Sequence, residues 1–230
     1  MKVEGIVFDM DGTLANLGGF VDWKHAYHQA KGAYLECGCS LELIEGLGER
    51  NLFDMINLVR DENVRSMDDE TVMDIQKSVY AAVEECELEG IEHCSLMPGC
   101  VETLDWIRSR GIAMGVATSN SELVAEKLLV SKGIRGYFGA IVGRRPELRM
   151  KPHPDQILRC LEEMGVDPAQ GLVVGDSVKD VQSAKSAKVP VVSIPSFFTR
   201  REDIERLGAD VIIGGLRELP GVVEKLNELR

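Results

Sequence analysis

No apolar run in this chain approaches the ~20 residues that a helix needs to cross a bilayer. Even Val189 to Ile194 is interrupted by Pro190 and Ser193. No Lys/Arg-rich run occurs, and the formal net charge is −12, so the basic face of a nucleic-acid binder is missing. The residues before Asp9 hold no signal-peptide core, which sets the expectation of a cytoplasmic protein. The six cysteines then default to reduced thiols. Cys37 and Cys39 are too close for a comfortable disulfide, and no second pair nearby completes a zinc site. Internal repeats and low-complexity tracts are also lacking. What remains is 230 residues, 44% hydrophobic and 28% charged, enough to bury a core and too apolar for wholesale disorder. The acidity reads first as solubility; any carboxylate serving a metal must be found by position.

Short β-rich runs each end at a turn-forming or polar group. Val3 to Phe8 ends at Asp9-Met-Asp11-Gly12-Thr13, Ile112 to Ala117 at Thr118-Ser119-Asn120, and Tyr137 to Val142 at Gly143. Leu172 to Val174 ends at Gly175-Asp176-Ser177 and Val189 to Ile194 at Pro195. Helical patterns separate the later runs: Cys100 to Arg110, Ser121 to Lys132, Pro154 to Met164 and Val178 to Lys188. Ala209 to Ile213 and Leu219 to Leu229 add one more strand and a closing helix. Alternation of strand and helix predicts an α/β fold, a doubly wound parallel sheet with a Rossmann-like core.

Residues 15–94 break that rhythm. Only helical periods occur there, over Phe20 to Glu36, Glu49 to Arg60 and Asp69 to Leu88, with Gly18-Gly19 and Met97-Pro98-Gly99 as hinges. The expected organisation is a catalytic core of residues 1–14 and 95–230 and an inserted α-helical cap of residues 15–94. The cap would stand over the carboxyl ends of the strands, where such sheets bind ligands.

Asp9-x-Asp11-Gly12-Thr13 is the sharpest signal. An Asp-Gly turn after a strand is common, but at average residue usage the full string arises by chance in roughly 0.2% of chains this long. In Gly175-Asp176-Ser177-x-x-Asp180, Ser177 and Asp180 match a capping box, whereas Asp176 at a strand end has no such role. If the strand ends meet, Asp9, Asp11 and Asp176 converge. Two carboxylates 4 Å apart repel by about 4 kcal/mol at an effective dielectric of 20, so three require a cation, and all-oxygen donors beside phosphate suit Mg²⁺. Thr118-Ser119-Asn120 opens a helix, with Ser119 and Glu122 as a second capping box; its free N–H groups and the Thr118 hydroxyl suit phosphate oxygens. Lys151-Pro152-His153-Pro154-Asp155 supplies a fixed positive charge through Lys151.

In this order, D-x-D-G-T-L, T-S-N, K-P-x-P-D and G-D-S-x-x-D resemble the motifs of the haloacid dehalogenase-like hydrolases. The resemblance spans the chain and is greatest to the phosphoglycolate phosphatase and β-phosphoglucomutase branch. It implies a Mg²⁺-dependent phosphatase for a small phosphorylated metabolite. Asp9 would be the nucleophile that forms an aspartyl-phosphate, and Asp11 the acid and then the base. Asp9, the Asp11 main-chain carbonyl and Asp176 would be the metal ligands. Thr118, Ser119, Asn120 and Lys151 would bind phosphate, with Asp180 behind them or orienting Lys151. Members that cleave carbon–halogen bonds lack an acid at the position of Asp11, which disfavours dehalogenation. Two departures stand out: Lys188 where relatives often carry Gly, and Gly143-Arg144-Arg145-Pro146 in place of a frequently acidic stretch; neither is expected to touch the chemistry.

A sugar phosphomutase would use the same nucleophile. A phosphonate hydrolase would need a cap lysine, for which Lys24, Lys31 and Lys77 are available. A non-catalytic binding protein would have no use for the complete motif set. Substrate selection falls to the cap, where Arg50, after Gly46-Leu47-Gly48, is the candidate for gripping a distal anion. His25, His28 and His93 lack metal-ligand spacing. Trp23 and Tyr27 are expected in the cap core, and Arg200-Arg201 in a solvated loop. Oligomeric state has no signature.

Overall fold

The computed structural model describes residues 2–46, 51–196 and 199–228. Six parallel strands form one sheet among them: β1 (Gly5–Phe8), β2 (Ala113–Ser121), β3 (Ala140–Arg144), β4 (Gly171–Gly175), β5 (Val191–Ser193) and β6 (Val211–Ile212), in the order β3-β2-β1-β4-β5-β6. The chain leaves β1 toward β2 and β3 on one side and returns to β4, β5 and β6 on the other. β1 therefore flanks the switch point, where a crevice opens at the strand carboxyl ends.

Both faces of this sheet are covered. Alternate residues of β1 point to opposite sides, so Ile6 and Phe8 join one apolar cluster while Val7 joins another. The first cluster includes Leu104 and Ile107 of α5 (Cys100–Ser109), Leu128 and Leu129 of α6 (Glu122–Ser131) and Val223 of α10 (Leu219–Glu228). The second holds Ile157, Cys160 and Leu161 of α7 (Asp155–Met164), Val181 and Ala184 of α8 (Val178–Ala187), and Ile204 of α9 (Arg201–Arg206). The doubly wound α/β sheet expected from the alternation is thus present. The short α9 was not expected: Arg201 begins a helix whose one buried residue is Ile204, too weak a period to stand out from a charged loop.

Between β1 and α5 the described residues contain four α-helices and no strand: α1 (Trp23–Glu36), α2 (Leu41–Gly46), α3 (Leu52–Ser66) and α4 (Asp69–Gly90). Asp22, Asn51 and Asp68 start α1, α3 and α4 by accepting the N–H three residues on, the capping expected of short oxygen-bearing side chains. α1 presents Ala26, Ala30, Ala33 and Tyr34 to α4, which answers with Val79 and Val83. The three alanines at helical spacing let the two helices lie close. The chain crosses into and out of this helical segment side by side: Ser95 N–H donates to Asn16 Oδ1 at 2.6 Å and Met97 N–H to the Leu14 carbonyl at 2.9 Å. α2 was not expected, and α3 starts at Leu52 and runs to Ser66 rather than covering 49–60, because Asn51 is its cap.

Lys188 has φ +58°, the one non-glycine in the left-handed region among the described residues. It ends α8 in a conformation where a glycine would be at ease.

Candidate active site

The register pairs Phe8 with Val116 on one side and Val174 on the other, so Asp9, Ala117 and Gly175 lie side by side at the carboxyl end of β1. Asp9 is buried, and Lys151 Nζ donates to its Oδ1 at 2.5 Å. The same ammonium donates to Asp180 Oδ1 at 2.6 Å. Asp180 Oδ2 accepts from the Ser177 N–H at 3.0 Å and hydroxyl at 2.6 Å, completing the capping box of α8. Asp180 thus both caps a helix and orients Lys151, two roles that its sequence position left as alternatives.

Asp9, Asp176 and Asp180 each place an oxygen within 4.8 Å of the others. Burial raises Asp9 well above the ordinary carboxylate value, Lys151 opposing and Asp180 and Asp176 adding to it. Burial, then Asp180, pushes Asp176 to about 7. Lys151 is raised despite its own burial because Asp180 and Asp9 hold its proton. One ammonium among three buried carboxylates leaves net negative charge, and the donors are all oxygen. This set fits a hard divalent cation. Because both Asp180 oxygens are engaged within the protein, Asp9 and Asp176 are the carboxylates open to it.

Asp11 stands apart from that cluster. Its Oδ1 accepts the Gly18 N–H at 2.7 Å, and burial raises it to about 6 against that donation. Gly12 has φ +85°, and a Cβ there would strike the Asp176 carboxylate. Glycine is therefore required twice over, for the backbone turn and for the approach of the two strand ends.

β2 continues through Thr118, Ser119 and Asn120 to Ser121, so the expected Ser119–Glu122 capping box does not form. Ser121 caps α6 instead, while Glu122 accepts from Arg145 Nε at 2.6 Å. The Thr118 hydroxyl donates to Asn120 Oδ1 at 3.0 Å, and the Asn120 N–H donates back to that hydroxyl at 3.2 Å. Asn120 Nδ2 turns away to Glu87. Asn120 therefore lines the cavity with its polar groups already engaged, unlike the phosphate donor expected from the sequence. A cavity of about 210 Å³ is walled by Asp9, Asp11, Thr118, Ser119, Lys151 and Asp176.

A second cavity of about 380 Å³ adjoins it, sharing Asp11, Phe53 and Lys179 and adding Trp23 and Leu52. The Trp23 and Phe53 rings meet edge to face at 5.5 Å. Trp23 was expected in the helical core. It packs half-buried against that core as expected and also forms a cavity wall, held by donation from its Nε1 to the Gly18 carbonyl at 2.9 Å. Tyr27 packs half-buried as expected. Lys179 is paired with Asp54 at 2.6 Å. Lys24, Lys31 and Lys77 line neither cavity. Arg50 lies outside the described residues.

Several supporting residues carried no motif. Gln156 Nε2 donates to the carbonyls of Thr118 (2.6 Å) and Gly143 (2.8 Å), and Asn57 of α3 donates to the Lys151 carbonyl at 3.1 Å. Arg144 donates to the Ser119 carbonyl at 2.9 Å, so its departure from the acidic pattern does reach the T-S-N segment. Its replacement of an expected acid was the one available signal.

A doubly wound sheet with an aspartate directly after its first strand, a buried lysine and paired aspartates defines a class of hydrolase. The chain belongs to the haloacid dehalogenase-like hydrolases: that family's model matches residues 6–194. The chain is accordingly an enzyme, and the two curated relatives that follow are phosphatases. It is 28% identical over 226 residues to the phosphoglycolate phosphatase of Thiobacillus denitrificans, covering 98% of this chain and 97% of that protein. The phosphoglycolate phosphatase of Escherichia coli K12 is 34% identical over 124 residues, 54% of this chain and 49% of the relative. Among solved structures, CbbY of Rhodobacter sphaeroides in complex with phosphate shares the fold with a TM-score of 0.63 at 23% identity, covering 94% of this chain and 96% of that one.

Proposed function

We propose that this enzyme is a phosphatase acting on a small phosphorylated metabolite of the phosphoglycolate or sugar phosphate kind, in two steps through Asp9. The observation that carries the reading is the Asp9 carboxylate held at 2.5 Å by a buried lysine at the floor of a cavity rimmed by Thr118 and Ser119. An Asp9 oxygen forms a bond to phosphorus as the ester P–O bond breaks, and Asp11 gives its proton to the departing oxygen. Asp11, now a carboxylate, takes a proton from water. That water attacks phosphorus and releases orthophosphate from Asp9. Burial that lifts Asp11 to about 6 suits a group that must be acid and base in turn near neutral pH. Lys151 and the Ser119 main chain hold the phosphoryl oxygens, joined by the Thr118 hydroxyl when it turns from Asn120 Oδ1, and Asn120 braces the loop. Asp9, Asp176 and the Asp11 carbonyl would hold Mg²⁺, which supplies positive charge to the transferring group.

The residues 15–94 act as a cap in this reading, with Trp23, Leu52 and Phe53 enclosing the leaving group and keeping bulk water from the site. The phosphonate hydrolase reading has no support, because no insert lysine lines either cavity. The six free thiols fit a reducing cytoplasm.

The test is rapid acid quench with radiolabelled substrate and Mg²⁺. Label is expected on the wild-type protein and absent from Asp9→Asn, with orthophosphate as the product. Isomer formation without net phosphate release would mark a phosphomutase instead, and turnover with no labelled protein would remove Asp9 from its role.

A further inference from the structure

Six charged residues are buried among the described residues. Asp9, Lys151, Asp176 and Asp180 belong to the site. The other two are Glu87, in the last turn of α4, and Arg144, at the end of β3. Both side chains are fully inaccessible. They pair bidentately: Arg144 donates to Glu87 Oε1 at 2.6 Å and to Oε2 at 2.9 Å. A buried ion pair is weak evidence for net stability, since apolar residues of similar shape commonly serve as well. What apolar residues cannot supply is direction, and this pair has directed bonds left over.

All of those bonds go to one segment. Asn120 Nδ2 donates to Glu87 Oε1 at 2.9 Å, the Ser121 N–H donates to Glu87 Oε2 at 3.1 Å, and Arg144 donates to the Ser119 carbonyl at 2.9 Å. Three successive residues are thus fixed by a side chain, a main-chain N–H and a main-chain carbonyl. One turn earlier on α4, Glu84 accepts from the Ser121 hydroxyl. From the core, Gln156 donates to the Thr118 carbonyl and β3 pairs Arg144 with Ser121. The segment is the wall of the cavity that faces Asp9. Arg144 is in turn sandwiched near the rings of Tyr80 (5.5 Å) and Phe53 (5.9 Å), both on the helical segment.

We propose that Glu87 and Arg144 are positioning residues that set the phosphate-binding geometry of Thr118–Asn120, so that the insert helix α4 forms part of the phosphate site without touching phosphate. The inference rests on the phosphatase reading. A donor displaced by a fraction of an ångström binds the transferring phosphoryl group poorly. The pair therefore acts on phosphate affinity and transition-state binding rather than on folding alone.

The experiment compares wild type, the charge-neutral double variant Glu87→Gln/Arg144→Met, and Asn120→Ala, which leaves the ion pair in place and removes one of its links to the loop. Each is assayed in Mg²⁺ for turnover of p-nitrophenyl phosphate, for dissociation of orthophosphate by calorimetry, and for Tm. The expected result is a tenfold or larger loss in kcat/KM and a comparable weakening of orthophosphate for the double variant at temperatures far below its Tm, with a threefold or larger loss for Asn120→Ala. Folded variants within twofold of wild type in both quantities would overturn the inference. If the double variant does not fold, Asn120→Ala decides by the same threshold. Absence of wild-type turnover on any phosphoester overturns the phosphatase reading, and this inference with it. Wild-type turnover with unaffected variants overturns only the inference.

Discussion

The sheet and the helical segment handle charge in opposite ways. On the sheet side, Lys151 is 4% exposed and bonded to side chains of Asp9 and Asp180 that are 10% and 2% exposed. On the helical side, pairs such as Arg65–Glu62 (72% and 48%) and Lys77–Asp74 (63% and 66%) are at the surface, where an ion pair contributes about 0–1 kcal/mol. The wall that the helices offer the cavity is mainly apolar, with Trp23, Leu52 and Phe53 beside the one amide of Asn51. Chemistry is concentrated where strand ends fix it, and shape is supplied by helices. Glu87 is the exception, a charge from the helical side buried in the sheet side's network.

The sharpest way to break this division is to remove charge from the sheet side. Asp9→Asn is expected to lower kcat by about three orders of magnitude or more, since an amide is a poor nucleophile, while circular dichroism stays that of wild type. Asp11→Asn should lose on the order of 10²–10⁴-fold, the span of general acid–base help. With a nitrophenolate leaving group the first step needs less acid, so the labelled intermediate should accumulate in quench-flow. Near-normal turnover by either variant would return the chemistry to some other group.

The sheet side was also the legible side. Asp9, Asp11, Thr118, Lys151 and Asp176 are each tied to a strand end or a proline-bounded turn, and such local geometry leaves a local spelling. The order of strand and helix along the chain predicted the sheet for the same reason. Glu87 was not legible, because the residue it serves lies 33 positions away and helical period alone made it a solvated charge. Apolar spacing places Trp23 against the helical core, where it packs, but cannot show that the same ring also walls a cavity. Asn120 read as a phosphate donor because nothing near it in the sequence announces that Glu87 takes its amide.

Metal removal sharpens the comparison through pH. Asp176 moves from the ordinary 3.8 to about 7 in the metal-free protein. A carboxyl raised on folding contributes stability that is fully present below its unfolded value and is lost as pH rises through the folded one. In EDTA, Tm should therefore fall as pH goes from about 4 to about 7. Saturating Mg²⁺ should flatten that slope, because the ion needs the ionised carboxylates that are otherwise unfavourable. A pH slope identical with and without Mg²⁺ would remove Asp176 from the ligand set. Substitution on the helical side, such as Lys77→Ala, should leave both slopes unchanged.

On the helical side the expected losses are smaller and depend on the substrate. Trp23→Ala should lower kcat/KM about tenfold, roughly 1.4 kcal/mol, for 1-naphthyl phosphate and leave acetyl phosphate within twofold, because the smaller acyl phosphate does not reach the ring. Equal losses on both would instead assign Trp23 to holding Gly18, whose N–H fixes Asp11.

The smallest expected effect lies in the scaffold, far from either wall. Lys188 occupies the left-handed region at the end of α8, its N–H donating to the Lys185 carbonyl at 3.1 Å. A side chain in that conformation costs roughly 1–2 kcal/mol relative to the right-handed region. Lys188→Gly removes this cost but enlarges the unfolded ensemble, which takes back about 0.5–1 kcal/mol. The side chain is exposed, so no buried contact is lost. The balance is a stabilisation of about 0.5 kcal/mol, a rise in Tm of about 1–2 °C for a chain of this size, with kcat and KM unchanged. The corresponding turn of the helical side already uses glycine, Gly38 at φ +81°, and Gly38→Ala should reverse the sign. A fall in Tm for Lys188→Gly would mean that the lysine makes a contact in solution worth more than the backbone strain it carries.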